Sequence, residues 1–212
     1  MLHLAGPSES DWGERALAHI DEILLDHAHC EKKAASTALS MIFRFPELPQ
    51  LMIPMSELAR EELEHFEQVV ALIRARGGEF SRQEPSPYAA RLMAAVRTHQ
   101  PARLLDLLLC ASLIEARSCE RMQQIARALA ARGAADPSHE LHALFELYDG
   151  LLASEARHHA TYVDLARACV DVPEAELQAR LRELAEHEAA VIADAPVDQP
   201  RMHGAVSAAP TV

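Results

Sequence analysis

One carboxylate–histidine pattern occurs twice in this chain, in the same order. Glu31 is followed by Glu62-Leu63-Glu64-His65, and Glu115 by Glu155-Ala156-Arg157-His158, so each half supplies a lone glutamate and a Glu-x-x-His pair. A helix rises about 1.5 Å per residue and turns every 3.6, which puts i and i+3 on one face about 4.5 Å apart along the axis. Four such helices facing inward gather four carboxylates and two imidazoles at one point, a donor set for two metal ions.

Register separates this pattern from chance. With 22 glutamates and 12 histidines in 212 residues, about one Glu-x-x-His pair arises at random. Here all six residues fall inside apolar stripes. Met55, Leu58, Ala59, Phe66, Val69 and Ile73 share the face of Glu62 and His65. Leu144, Tyr148, Leu151, Leu152, Tyr162 and Leu165 share that of Glu155 and His158. Leu104, Leu108, Ala111, Met122 and Leu129 accompany Glu115, and Leu24, Ala28, Ala34, Ala35, Ala38 and Ile42 accompany Glu31. An unpaired charge in such a stripe is expensive. The alternatives are surface residues out of phase with the stripe, or core His–Glu pairs without metal.

The rest of the chain reads as helix. Half of the residues are apolar and 4% aromatic, with Ala, Leu, Glu and Arg dominant and few β-branched runs. The expected helices run from about Asp11 to Arg44, whole or interrupted, from Pro54 to Gly77-Gly78, and from Tyr88 to Thr98. Three more run from Pro101 to Gly133, from Asp136-Pro137-Ser138 to about Val170, and from Glu174 to about Ala193. The long connection between the second and third bundle helices implies a crossover rather than a simple up-down bundle. Residues 1–194 are expected to form a single helical domain, and residues 195–212 a poorly ordered tail. No apolar run approaches a membrane span and no signal peptide is evident, so a cytoplasmic protein is expected. Cys30, Cys110, Cys119 and Cys169 show no C-x-x-C spacing, which excludes a zinc ribbon or rubredoxin-like site.

Carboxylate and imidazole donors suit iron or manganese. Bridging glutamates hold two cations about 3.5–4 Å apart. The natural assignment makes Glu62 and Glu155 the bridges, with Glu31 and His65 on one metal and Glu115 and His158 on the other. Two ferrous ions so held, with dioxygen and two further electrons, can attack an unactivated C–H bond. Ala34, Ala35, Ala38, Ala111 and Ser112 leave room beside the site or permit close helix packing. Tyr162 and Cys119 lie one turn beyond His158 and Glu115 on inward faces. His27, four residues before Glu31, is placed to support it, whereas His29 and His159 are expected at the surface.

The segments Asp26-His27-Ala28-His29-Cys30-Glu31-Lys32-Lys33-Ala34-Ala35, Glu61-Glu62-Leu63-Glu64-His65-Phe66, Leu113-Ile114-Glu115-Ala116-Arg117-Ser118-Cys119-Glu120-Arg121 and Ser154-Glu155-Ala156-Arg157-His158-His159 resemble the bacterial tRNA hydroxylase family MiaE. The resemblance covers roughly residues 8–190. It implies an all-α, ferritin-like four-helix bundle with a di-iron centre. The implied activity is hydroxylation of the isopentenyl group of methylthio-isopentenyl-adenosine next to the tRNA anticodon.

A net charge of −12 sits awkwardly with a polyanionic substrate. Two ferrous ions would bring it to about −8, and a local basic rim can bind phosphates while the far surface stays acidic. Lys33, Arg44, Arg117 and Arg157 are the candidate contacts. Without a C-x-x-C site or a Gly-rich dinucleotide fingerprint, electrons are expected from a separate reductase. A monomer or small homo-oligomer is expected rather than a cage. Competing readings are an iron-storage ferroxidase, a di-iron oxygenase of a small molecule such as a quinone, and a non-catalytic helical partner-binding module.

Overall fold

The computed structural model describes residues 2–196 and 199–205, and among them the regular elements are seven helices. They are α1 (Trp12–Leu17), α2 (Ile20–Arg44), α3 (Pro49–Ala75), α4 (Tyr88–Met93), α5 (Ala102–Ala131), α6 (His142–Cys169) and α7 (Glu174–Ala193). The four long helices α2, α3, α5 and α6 form a ferritin-like bundle. α2 pairs with α3, α5 pairs with α6, and the two hairpins meet chiefly through α3 and α6. The connection from α3 to α5 carries α4, and α7 packs over α4 and α5. α1 lies against α5, where a Cβ on Gly13 would come within 2.4 Å of the Gln124 carbonyl oxygen.

The apolar interior divides into two clusters, one containing Ala38, Leu58, Ala59, Leu113 and Tyr162, the other Ala28, Val69, Met122 and Leu151. On each bundle helix the buried glutamates and histidines fall between a member of one cluster and a member of the other. Glu31 lies between Ala28 and Ala38, Glu62 and His65 between Ala59 and Val69, Glu115 between Leu113 and Met122, and Glu155 and His158 between Leu151 and Tyr162. The bundle thus has a polar layer across its middle, closed above and below by hydrocarbon.

Several boundaries differ from the periodicity reading. The first helix breaks at residues 18–19. α3 begins at Pro49, with Pro54 inside it. The bond that Pro54 forfeits is to the carbonyl of Gln50, which lies at the exposed start of the helix. α4 stops at Met93 rather than Thr98: the amides of Ala94, Ala95 and Val96 turn to the carbonyls three residues back, and the amide of Arg97 donates to Asp106 Oδ2 at 2.9 Å. α6 starts at His142. Asp136 Oδ1 instead accepts from the amide and hydroxyl of Ser138, making a local turn that delays the helix.

The tail also departs from expectation. Residues 199–205 dock on the bundle, with Met202 and His203 buried. Trp12 Nε1 donates to the Gly204 carbonyl at 3.0 Å, the Met202 amide donates to Asp26 Oδ2 at 2.9 Å, and the His203 ring stacks on Tyr88 at 4.6 Å. Polar anchors rather than an apolar stripe hold this segment, so periodicity does not reveal it. The remainder of the expected tail, residues 197–198 and 206–212, lies outside the described residues. Among the described residues no helix is long and apolar enough to cross a membrane.

Candidate metal centre

The helical phase of α2, α3, α5 and α6 turns Glu31, Glu62, His65, Glu115, Glu155 and His158 into the polar layer, and all six are buried. They form two overlapping groups whose potential ligand atoms lie within 4.8 Å of one another: Glu31, Glu62, His65 and Glu155, and Glu62, Glu115, Glu155 and His158. Glu62 and Glu155 belong to both. His65 Nδ1 lies 3.4 Å from Glu155, 3.6 Å from Glu31 and 3.7 Å from Glu62. His158 Nδ1 lies 2.7 Å from Glu62 and 4.0 Å from Glu155.

These donors crowd one another without satisfying one another. Both oxygens of Glu62, Glu155 Oε1 and the Nδ1 atoms of His65 and His158 are buried without a properly formed hydrogen bond, an arrangement that proteins avoid unless something else is bound. Burial, reinforced by the charges of Glu62 and Glu155, holds the Glu115 carboxyl well above the usual carboxylate range. Burial likewise raises Glu62. At Glu31 burial acts in the same direction, but His27 and His65 outweigh it and bring the carboxyl down to about 2. At His65 burial would lower the imidazole, yet contacts with Glu155, Glu31 and Glu62 push it up to about 12. Four carboxylates carry a formal charge of −4, which two divalent cations balance, and the all-oxygen-and-imidazole set suits iron. The residues present therefore fit a carboxylate-rich metal pair.

Supporting contacts surround the six. His27 Nε2 lies 2.6 Å from Glu31 Oε1, as its i,i+4 spacing implies, and its ring stacks on Tyr148. Glu61, which periodicity does not single out, lies 2.9 Å from His158 Nε2 and also meets Arg157. Beside Glu115 a cavity of about 110 Å³ opens, lined by Ala34, Ala111, Ile114 and Tyr162 and walled on one side by Tyr88 and His203. Of the small residues, Ala34 and Ala111 thus leave space, whereas Ala35 and Ala38 are packed in the bundle. The Cys119 thiol contacts the Leu152 carbonyl. Burial, with the charges of Glu115 and Glu62, keeps the Tyr162 hydroxyl protonated far above its ordinary range.

Two expectations about histidines are corrected. His29 and His159 are buried: His29 Nε2 meets the Ser81 carbonyl at 2.9 Å and His159 Nδ1 the Ser112 carbonyl at 2.8 Å. Among the basic residues, Lys33 is exposed at the cavity mouth, and Arg44 and Arg157 are exposed. Arg117 is not part of a basic rim. Its guanidinium is buried, donating to both oxygens of Glu188 at 2.8 and 2.7 Å and reaching Ser8 and Glu120. Its partner lies 71 residues along the chain, so no local signal marks Arg117 as internal.

A four-helix bundle whose long helices all turn carboxylate or imidazole donors toward one buried layer is a ferritin-like metal-binding protein. Within that class the chain belongs to the MiaE family: the family model described as tRNA-(MS2IO6A)-hydroxylase (MiaE) matches residues 2–204. The tRNA 2-(methylsulfanyl)-N(6)-isopentenyladenosine(37) hydroxylase of Pseudomonas putida is 40% identical, over 96% of this chain and 92% of that protein. The protein of the same name from Salmonella typhimurium is 32% identical, over 98% and 89%. Among solved structures, a Synechococcus protein described as having aldehyde deformylating oxygenase activity superposes with a TM-score of 0.82. It is 42% identical and covered, like this chain, over 98% of its length.

Proposed function

We propose that this chain is a non-haem di-iron monooxygenase that hydroxylates the isopentenyl group of 2-methylthio-N6-isopentenyl-adenosine in tRNA. The observation that carries the reading is the pair of overlapping ligand groups sharing Glu62 and Glu155, in a chain matched along nearly its whole length by the hydroxylase family. Glu31 and His65 would hold one iron and Glu115 and His158 the other, with Glu62 and Glu155 bridging. The metal pair, when bound, supplies dioxygen activation. The overall reaction converts R–CH3, O2, two electrons and two protons into R–CH2OH and water.

The chain's own groups do the rest. Glu61 accepts the Nε2 proton of His158 and keeps Nδ1 turned into the site. His27 holds Glu31 from the side away from the cluster. The two hydrocarbon clusters exclude bulk water from the polar layer, and the cavity beside Glu115 admits an alkyl chain. The modified base leaves its stack to reach that cavity, as in other enzymes that act on bases. Lys33, Arg44 and Arg157 are the contacts we assign to the flanking phosphates. A separate reductase delivers the two electrons, the protein works in the cytoplasm where its tRNA is, and it acts as a monomer or small oligomer.

Nucleoside analysis of tRNA from cells with and without the protein tests this reading: the hydroxylated base is expected only with it. The Synechococcus relative supports a second reading, oxygenation of an aldehyde in the same apolar cavity. Turnover of aldehydes without any action on prenylated tRNA would favour that reading instead.

A further inference from the structure

The cavity beside the ligand cluster runs from an exposed rim at Lys33, Thr37 and Ala89 to a buried end at Glu115 and Tyr162. Its volume of about 110 Å³ suits a branched five-carbon chain, since an apolar cavity of about 150 Å³ holds benzene. Most polar groups along its wall are already engaged. The Tyr88 hydroxyl donates to Glu188, Asp26 accepts from the Met202 amide, and His203 Nε2 meets the Ser118 hydroxyl.

Tyr162 differs. Its side chain is fully buried and its hydroxyl has no hydrogen-bond partner. Leaving a buried hydroxyl unpaired is destabilising, and Tyr162 lines the cavity that would receive an alkyl chain. The substrate chain carries no polar atom there, but the product carries an alcohol. Resting on the reading of the chain as a hydroxylase of the isopentenyl group, we propose that the Tyr162 hydroxyl donates a hydrogen bond to the newly installed alcohol oxygen. It recognises the product, whose alcohol is the partner the substrate lacks. No bond to Tyr162 forms or breaks, and the phenol stays protonated throughout.

Tyr162→Phe removes only the hydroxyl, and the lost group had no partner within the protein, so fold and iron content should hold. The probe is an anticodon stem-loop RNA bearing the methylthio-isopentenyl-adenosine, compared with the same RNA already hydroxylated. Binding is measured on the iron-loaded protein without reductant, so that nothing turns over. The variant should bind the unhydroxylated RNA as the wild type does, and the hydroxylated RNA at least about threefold more weakly. Equal affinities of wild type and variant for both RNAs overturn the proposal. So does equal weakening on both, which is what a merely structural role would produce. A wild-type protein that fails to hydroxylate the RNA overturns the hydroxylase reading itself, and this proposal with it. A wild type that hydroxylates, beside a variant that discriminates as well as it does, overturns this proposal alone.

Discussion

Glu61 Oε2 lies 2.9 Å from Nε2 of His158, while Nδ1 of the same ring lies 2.7 Å from Glu62. The imidazole is thus held from behind by one carboxylate and turned toward the ligand cluster by its fixed orientation. A histidine so oriented presents a defined tautomer to a metal.

Removing that support should therefore weaken metal binding without abolishing it. Glu61→Ala is expected to lower affinity at the His158 side by about 10–100-fold, read by competition with a chelator, while the His65 side keeps its affinity. An unchanged affinity at both positions would show that the packing of His158 is sufficient to orient it.

The shared carboxylates should matter more than either histidine. Glu62→Ala or Glu155→Ala is expected to abolish paired iron binding, because each reaches both ligand groups. Metal analysis and the magnetic coupling of the two ions report this. Two coupled irons retained in either variant would refute the bridging assignment.

Turnover should depend on an external electron source. Multiple cycles are expected with a reductase or a chemical reductant, and peroxide should substitute for dioxygen plus electrons. Sustained product formation with NADPH and this chain alone would contradict the need for a separate reductase.

Charge reversal at Lys33, Arg44 and Arg157 should weaken tRNA binding and flatten its salt dependence while iron loading stays intact. Arg117→Ala should act differently. It leaves Glu188 buried without its charged partner, at a cost of about 3–5 kcal/mol, seen as a shift in urea unfolding rather than in salt-dependent binding. If all three exposed reversals leave tRNA turnover unchanged, the docking surface lies elsewhere.

Asp106 links the α4–α5 turn to α7 through Arg97 and Arg180. Burial raises its carboxyl, but the two guanidinium groups outweigh that and hold it below the ordinary range. A lowered folded pKa stabilises above the unfolded value of about 3.9, and the benefit disappears as pH falls through the folded value. The difference in unfolding free energy between the wild type and Asp106→Asn, both metal-free, should therefore be largest near neutrality and shrink below about pH 4. A constant difference across that window would remove Asp106 ionisation as the cause.

The four bundle helices, and the six donors that face one another across them, were legible in the amino-acid sequence. Both depend on local periodicity: i, i+3 and i+4 neighbours share a face whatever the rest of the chain does, so Glu62 with His65 and Glu155 with His158 were paired before any folding was considered. The helix ends at Gly77 and Gly133, where the backbone turns to positive φ, were legible for the same local reason. What only the tertiary structure decided involves partners far apart along the chain. Arg117 is buried because Glu188 lies opposite it, and His29 because the Ser81 carbonyl meets its ring. The chain beyond α4 is held by an aspartate on α5, and His203 walls the cavity because Asp26, Tyr88 and Trp12 receive residues 202–204. A charged or polar side chain announces that it needs a partner, but not where that partner will be. Hydrophobic stripes settle the faces of helices, whereas the pairing of buried polar groups is settled when those faces close on one another.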